Sequence, residues 1–188
     1  MSAEMMTLKN HLLIAMPNVH DSSFERTVTL VCINDEKGSF GITINRPMGI
    51  TIGQVFEQLD LSTDNNDLNE QFALSGGPAE SGQGFVLHDT KRRWESTMPI
   101  SDELSITSSR DILEDIVNDN GPDNFLLTLG CANWEPQQLE QEMMSNAWLT
   151  CPVENNILFN LPYKQRWKAA ANSMGVDLSR LSSSIGHA

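Results

Sequence analysis

Two neighbouring segments near the start of the chain constrain the fold more than any other feature. Residues 27–34 are rich in β-branched side chains, and in residues 39–45 the apolar side chains alternate with small or polar ones. Between them lies Asp35-Glu36-Lys37-Gly38, which is typical of a tight turn. Alternation with a period of two on both sides of a short glycine-containing turn predicts an antiparallel β-hairpin. The fold must therefore contain a β-sheet.

Strand and helix patterns alternate in the later part of the chain. Apolar residues at Ile52, Val55, Phe56 and Leu59 have the spacing of one helix face. Further helices are predicted to begin at Ser108, at about Trp134 and near Pro162, and Asp111 completes a capping box with Ser108. Further strands are predicted at 11–16, 72–74, 84–88, 94–100, 104–107, 125–129 and 148–153. Residues 61–70 are expected to form an exposed acidic loop. Hairpins followed by strand–helix–strand units predict an α/β fold of the α+β type, with a mixed sheet and packed helices in a single domain, 1–188.

Net charge limits the classes of partner. The chain of 188 residues carries 25 acidic and 12 basic side chains, a formal net charge of −13. Such a surface repels duplex DNA, RNA and anionic membranes. No stretch approaches the roughly 20 apolar residues that span a bilayer, and the first residues lack the features of a signal peptide. Together with three widely spaced cysteines, these features lead us to expect a cytoplasmic protein without disulfides.

Polar groups at strand ends and turns form the predicted binding site. Asn45 and Arg46 follow the hairpin, and a guanidinium beside an amide suits a carboxylate or a phosphate. The turn at Gly76 and Gly77 could present backbone N–H groups to an anion, although paired glycines more often serve a tight turn. His88 ends a short strand. We expect these five residues to line a site for a small anionic ligand. The structural alternative is that Asn45 only holds its own turn and Arg46 pairs with a surface acid.

Lys91-Arg92-Arg93-Trp94 is the one basic run. Basic side chains next to an aromatic ring can grip a nucleic-acid strand. Three positive charges in so acidic a chain more often form a solvated loop, and no recognition helix is predicted beside them. Direct contact with DNA is therefore an alternative hypothesis that we expect to fail.

Catalytic and metal-binding patterns are sparse. Cys131 is predicted to lie between a buried strand and a helix, where a helix N-terminus can lower the pKa of a thiol. A hydrolase or transferase that uses Cys131 or His88 is a second alternative, but a packed, inert cysteine is more common. The four histidines and three cysteines show none of the spacings of a metal site. No metal and no cofactor are predicted, and we favour a protein that is not an enzyme.

Taken together, the motifs resemble those of the YqgE/AlgH family of bacterial proteins over essentially the whole chain. The segments that carry the resemblance are HLLIAMP at 11–17, GITINRP at 41–47, SGGP at 75–78, GFVLH at 84–88, TSSRDIL at 107–113, LGCANW at 129–134, QLEQE at 138–142, NAWL at 146–149 and GHA at 186–188. Each motif alone is weak, whereas their order and spacing are specific. The chain departs from the family at Cys131 and Asn133, where the family commonly has an aromatic and a small residue.

The resemblance implies a compact domain with a strongly coiled mixed sheet, from proteins that are largely uncharacterised. One branch of the family is associated by name with transcriptional control of alginate synthesis. Because the charge of this chain disfavours DNA, an indirect regulatory role fits better. The leading hypothesis is a cytoplasmic protein that binds a small anionic ligand or a protein partner.

Overall fold

The computed structural model describes residues 7–17, 24–89 and 92–177. Its first three strands are β1 (His11–Ala15), β2 (Val28–Asp35) and β3 (Gly38–Thr43). Neighbouring strands are antiparallel, and β2 and β3 pair up to the turn between Asp35 and Gly38. The predicted hairpin is therefore confirmed.

Between the hairpin and the middle of the chain, two short strands and two short helices form a layer at one edge of the sheet. They are β4 (Pro47–Thr51), α1 (Ile52–Gln58), α2 (Asn66–Glu70) and β5 (Phe72–Ser75). The predicted loop at 61–70 is wrong in its second half, because Asn65 caps a helix that buries Leu68. Strand β4, which begins at Pro47, was also not predicted.

The next elements extend the sheet. They are β6 (Ala79–Asp89), β7 (Thr97–Pro99), β8 (Leu104–Thr107) and α3 (Asp111–Val117). The predicted capping box at Ser108 is wrong: α3 begins at Asp111 after Arg110, whose side chain makes no capping hydrogen bond. Ser109 instead donates a hydrogen bond of 2.5 Å to the Asp111 carboxylate.

The last part of the chain supplies the central strand β9 (Phe125–Trp134), followed by α4 (Gln138–Met144), β10 (Trp148–Pro152), a π-helical turn (Asn156–Asn160) and α5 (Tyr163–Ser173). Strand β9 is longer than the predicted 125–129: it continues through Gly130, at φ +82°, to Trp134. The helix predicted from Trp134 therefore begins later. Met174, at the C-cap of α5, is 46% exposed.

The strands join in the order β10-β1-β2-β3-β9-β6-β8-β7, with β4 and β5 attached through a parallel pairing of β5 with β9. This curled sheet with packed helices is an α+β fold, as predicted. Apolar side chains from β1, β2 and β3 pack against the π-helical turn and α5, while α1 and α3 cover the other part of the sheet. The π-helical turn contacts β9, and together with the start of α5 it forms one wall of the groove described below.

Candidate functional site

The hairpin end holds Asn45 and Arg46 in structural hydrogen bonds. The Asn45 Oδ1 accepts from the Val28 backbone N–H at 2.9 Å, and its Nδ2 donates to the Arg26 carbonyl at 2.8 Å. Arg46 Nη2 donates to the Glu25 carbonyl at 2.9 Å. Both side chains thus fasten the segment before β2 to the end of β3. Both atoms of the Asn45 amide are occupied by the protein itself.

Gly76 and Gly77 pass against the backbone of β9. The Gly76 N–H donates to the Leu129 carbonyl at 2.8 Å, and its own carbonyl accepts from Thr43 at 2.7 Å. A Cβ atom added at Gly76 would lie 2.3 Å from the Gly130 oxygen, and one added at Gly77 would lie 2.3 Å from the Cys131 carbonyl. The structure places these glycines beside the hairpin end. Their close approach to β9 leaves no room for a side chain, so packing alone requires glycine there.

His88 lies elsewhere on the sheet. It pairs with Phe125 on β9, four residues before Leu129, which is about 13 Å along a strand. The side chain is fully buried; its Nε2 is 2.7 Å from the Thr107 hydroxyl, and its Nδ1 contacts the Asp89 carbonyl. Burial lowers the pKa of His88 below its ordinary value, with the Asp89 carbonyl acting in the opposite direction. Four of the five predicted site residues are therefore neighbours, and His88 is separate from them.

The basic run is only partly described, because Lys91 lies outside the described residues. Arg92 forms an ion pair with Asp115 and lies over the Trp94 ring, 4.8 Å from its centroid. The Trp94 indole N–H donates to the same carboxylate at 2.7 Å, while Arg93 is exposed. Arg92 thus belongs to a local surface cluster with an acid.

Cys131 is fully buried inside β9. Its Sγ donates to Glu80 at 3.6 Å and accepts from Asn133 at 3.7 Å. Burial, assisted by the Glu80 carboxylate, raises the pKa of the Cys131 thiol to about 11. The expected position at a helix N-terminus is wrong, because β9 continues to Trp134 and α4 begins only at Gln138. The thiol is protonated at neutral pH.

A groove between β5, β9, the π-helical turn and α5 contains a feature that was not predicted. Arg166 on α5 is only 6% exposed and lines this cavity of about 450 Å³. Its Nη1 donates to the Ile44 carbonyl, which immediately precedes the predicted site residue Asn45. Among the described residues, its Nε is buried without a hydrogen-bond partner. We call this cavity the Arg166 groove.

The walls of the Arg166 groove are mostly apolar. Its aromatic side chains are Phe72, Phe125, Phe159 and Tyr163. Phe72 is 49% exposed, an unusual state for so large an apolar side chain. Leu74 and Leu127 are buried and contribute to the lining. Apolar walls with a few polar groups are the usual composition of a small-molecule site.

Burial makes Arg166 an energetically unusual residue. It lowers the pKa of the Arg166 guanidinium to about 10, so the side chain is still protonated at neutral pH. Within the described ranges no carboxylate forms an ion pair with it, although Glu70 also lines the groove. A buried charge without a partner costs several kcal/mol, whereas a paired one recovers much of that cost. The groove is therefore suited to an anion.

The sequence held a signal for this residue. Arg166 stands four positions before Ala170, which belongs to the apolar stripe of the last helix. Side chains four positions apart lie on the same face of a helix, so the spacing places a cation on the buried side. In contrast, no local pattern indicates that Phe72 and Phe159, far apart in the chain, form walls of one groove.

The described residues contain neither a cluster of metal ligands nor a membrane-spanning helix. No group of three or more His, Cys, Asp or Glu side chains among them is arranged to hold a metal ion. Likewise, none of the described helices combines the length and the apolar character needed to cross a bilayer.

The curled sheet, with its helices packed as described, defines a class of α+β domain that is seen in solved structures. The solution structure of the AlgH protein from Pseudomonas aeruginosa has a TM-score of 0.80 to this chain at 41% sequence identity, with 100% of both chains covered. A crystal structure of protein DIP2367 from Corynebacterium diphtheriae has a TM-score of 0.74 at 19% identity, covering 95% of this chain and 92% of that one. The second likeness concerns the fold alone.

The chain belongs to the AlgH-like family, whose sequence profile matches residues 12–179. A UPF0301 protein of Nitrosococcus oceani is 47% identical over 180 residues, and UPF0301 protein Smlt1098 of Stenotrophomonas maltophilia is 45% identical over 181 residues. In both cases the match covers 96% of this chain and 96% of the relative. The family resemblance read from the motifs is confirmed, and these names state no activity.

Proposed function

We propose that this protein is a cytoplasmic, non-enzymatic binding protein that holds a small organic anion in the Arg166 groove and acts as an indirect regulator. The observation that carries the proposal is the buried Arg166 guanidinium, whose Nε has no hydrogen-bond partner among the described residues. An anion in the groove would give this charge the partner that none of the described residues supplies. The ligand class, a small anion, is the one expected from the sequence. The site that we propose for it lies at α5, next to the hairpin end, instead of at the hairpin end itself.

The two alternatives have less support. For catalysis, the Cys131 thiol has a pKa raised to about 11 and His88 is fully buried, so neither is suited to proton transfer with a substrate. For DNA binding, Arg92 already pairs with Asp115, and the net charge of −13 opposes approach to a polyanion. A protein partner remains the alternative that the experiment below can favour.

The test is thermal stabilisation by a panel of carboxylates, phosphometabolites and nucleotides. A ligand at 100 times its dissociation constant adds about 2.7 kcal/mol to the free energy of unfolding, or about 5–10 °C in the melting temperature. We expect the shift to be lost in Arg166→Met, which keeps an unbranched apolar stem and removes the guanidinium with its charge. Arg166→Lys keeps the positive charge but lacks the planar guanidinium with its paired N–H donors, so it should retain a smaller shift in melting temperature.

Arg46→Ala is the matched control, since it removes a guanidinium from the hairpin end. A shift that survives Arg166→Met and disappears in Arg46→Ala would overturn the proposed site and return the ligand to Asn45 and Arg46. No shift from any anion would overturn the proposal and favour a protein partner, to be sought by capture from cytosol.

A further inference from the structure

We infer that the Arg166 groove selects monocarboxylates with a flat apolar body over phosphates and dicarboxylates. This inference rests on the proposed function and specifies its ligand. Three features carry it: the open edge of one guanidinium, the aromatic walls, and the acidic side chains in and beside the groove.

The guanidinium of Arg166 has one edge in use and one edge open. Nη1 donates to the Ile44 carbonyl, while Nε is buried without a hydrogen-bond partner among the described residues. Nε and Nη2 form the edge of a guanidinium that a carboxylate bridges with two parallel hydrogen bonds. Because no other cationic side chain lines the groove in the described part of the chain, this edge provides for one carboxylate and no further negative charge.

The walls specify what the carboxylate is attached to. Phe72, Phe125, Phe159 and Tyr163 line a cavity of about 450 Å³, which is within the size range of small-molecule sites. Aromatic rings pack favourably against another flat ring in stacked or edge-on geometry. A ligand that places its carboxylate on Arg166 would cover the exposed part of Phe72 with such a body.

Acidic side chains in and beside the groove disfavour a second negative group. Glu70 lines the Arg166 groove itself. A neighbouring groove, which shares Gln71, Phe125 and Phe159 with it, is lined by the carboxylates Asp67, Asp119 and Asp123. A phosphate dianion or a dicarboxylate would therefore meet one cation and the Glu70 carboxylate, with further acids in the next groove, while a monocarboxylate is neutralised by Arg166 alone.

The experiment compares three probes that share a phenyl group: phenylacetate, phenylmalonate and phenyl phosphate, the last a dianion above neutral pH. Each is titrated into the full chain and followed by amide chemical shifts, with residues of the π-helical turn and the start of α5 as local reporters. We expect phenylacetate to bind about tenfold more tightly than either dianion, which corresponds to about 1.4 kcal/mol. Acetate, which lacks the apolar body, should bind at least about tenfold more weakly than phenylacetate.

Two variants separate the failure of this inference from failure of the proposed function. Glu70→Gln should raise the affinity for phenyl phosphate more than that for phenylacetate, because it removes one like charge. If phenyl phosphate binds as tightly as phenylacetate and both are lost in Arg166→Met, the groove binds anions but the selectivity is wrong. If no probe shifts the local reporters, or if binding is unchanged in Arg166→Met, the proposed function fails as well.

Discussion

Replacing Gly77 with alanine tests whether the paired glycines serve packing or ligand binding. A Cβ atom at this position would lie 2.3 Å from both the carbonyl carbon and the oxygen of Cys131 on β9. Those neighbours are backbone atoms of the central strand, so they cannot rotate away as a flexible side chain could. Gly77 also has φ +151°, a conformation that residues with a side chain rarely adopt. Both effects act on the folded state.

The expected loss of stability follows from these two contributions. Forcing extra atoms into a packed site typically costs about 1–3 kcal/mol, and an unfavourable backbone conformation costs about the same. We therefore expect Gly77→Ala to lower the free energy of unfolding by about 4 kcal/mol. In a chain of this length that corresponds to a melting temperature lower by about 8–16 °C.

The assay is thermal and denaturant unfolding of Gly77→Ala beside two matched controls. A Cβ atom at Gly49 or at Gly82 would meet no atom within 4 Å. The free energies of unfolding of Gly49→Ala and Gly82→Ala should therefore lie within about 1 kcal/mol of that of the unchanged protein. Alanine also restricts the unfolded chain, which adds a small gain in stability. If Gly77→Ala melts like these controls but binds the anion more weakly, the packing argument is refuted and the glycines belong to the ligand site.

Three further predictions concern single side chains. Alkylation of Cys131 in the folded protein should be at least about 100-fold slower than that of a free cysteine, because a pKa near 11 leaves little thiolate. Labelling of Cys131 at the rate of a free thiol would contradict the burial of this side chain. Because burial lowers the pKa of His88 below 6.5, the unfolded state takes up a proton before the folded state does as the pH falls below 6.5. The free energy of unfolding should therefore drop in that range, and urea titrations at successive pH values should give a flatter profile for His88→Gln; identical profiles would refute the assignment. Thr51→Ala should lower the free energy of unfolding by about 1 kcal/mol in the same assay, because it removes the capping box of α1. An unchanged free energy of unfolding would show that the cap contributes nothing to stability.

Local signals in the sequence were sufficient for the hairpin and for the family. Period-two alternation and turn residues act between neighbours, so β2 and β3 could be predicted. The extent of β9 could not, because beyond Leu129 the strand is held by pairing with β3 and with Ala79 of β6, which are distant in the chain. Helix α2 was missed because five residues with one buried side chain, Leu68, leave no periodic pattern.

The site expected from the sequence and the site that we propose share a chemistry but differ in position. Both use a guanidinium for an anion, but the sequence directed attention to loops, whereas Arg166 is on a helix. The spacing of Arg166 from Ala170 contained the information that the cation is buried. That no described residue supplies it with an acidic partner depends on which segments pack around it, and no local pattern contains this. The burial of His88 could not be predicted for the same reason, since its partner Thr107 comes from a different strand.

The order of the strands has a consequence for how the chain folds as it is made. Strand β1 pairs on one side with β2, which follows directly, and on the other side with β10, so that His11 lies opposite Pro152. While the ribosome synthesises the intervening segments, one edge of β1 has no strand to bond, and such an edge can pair with other chains. Pairings between residues so distant in the chain form slowly. Completion of the sheet must therefore await the synthesis of β10, and the nascent chain is most exposed to aggregation during that interval.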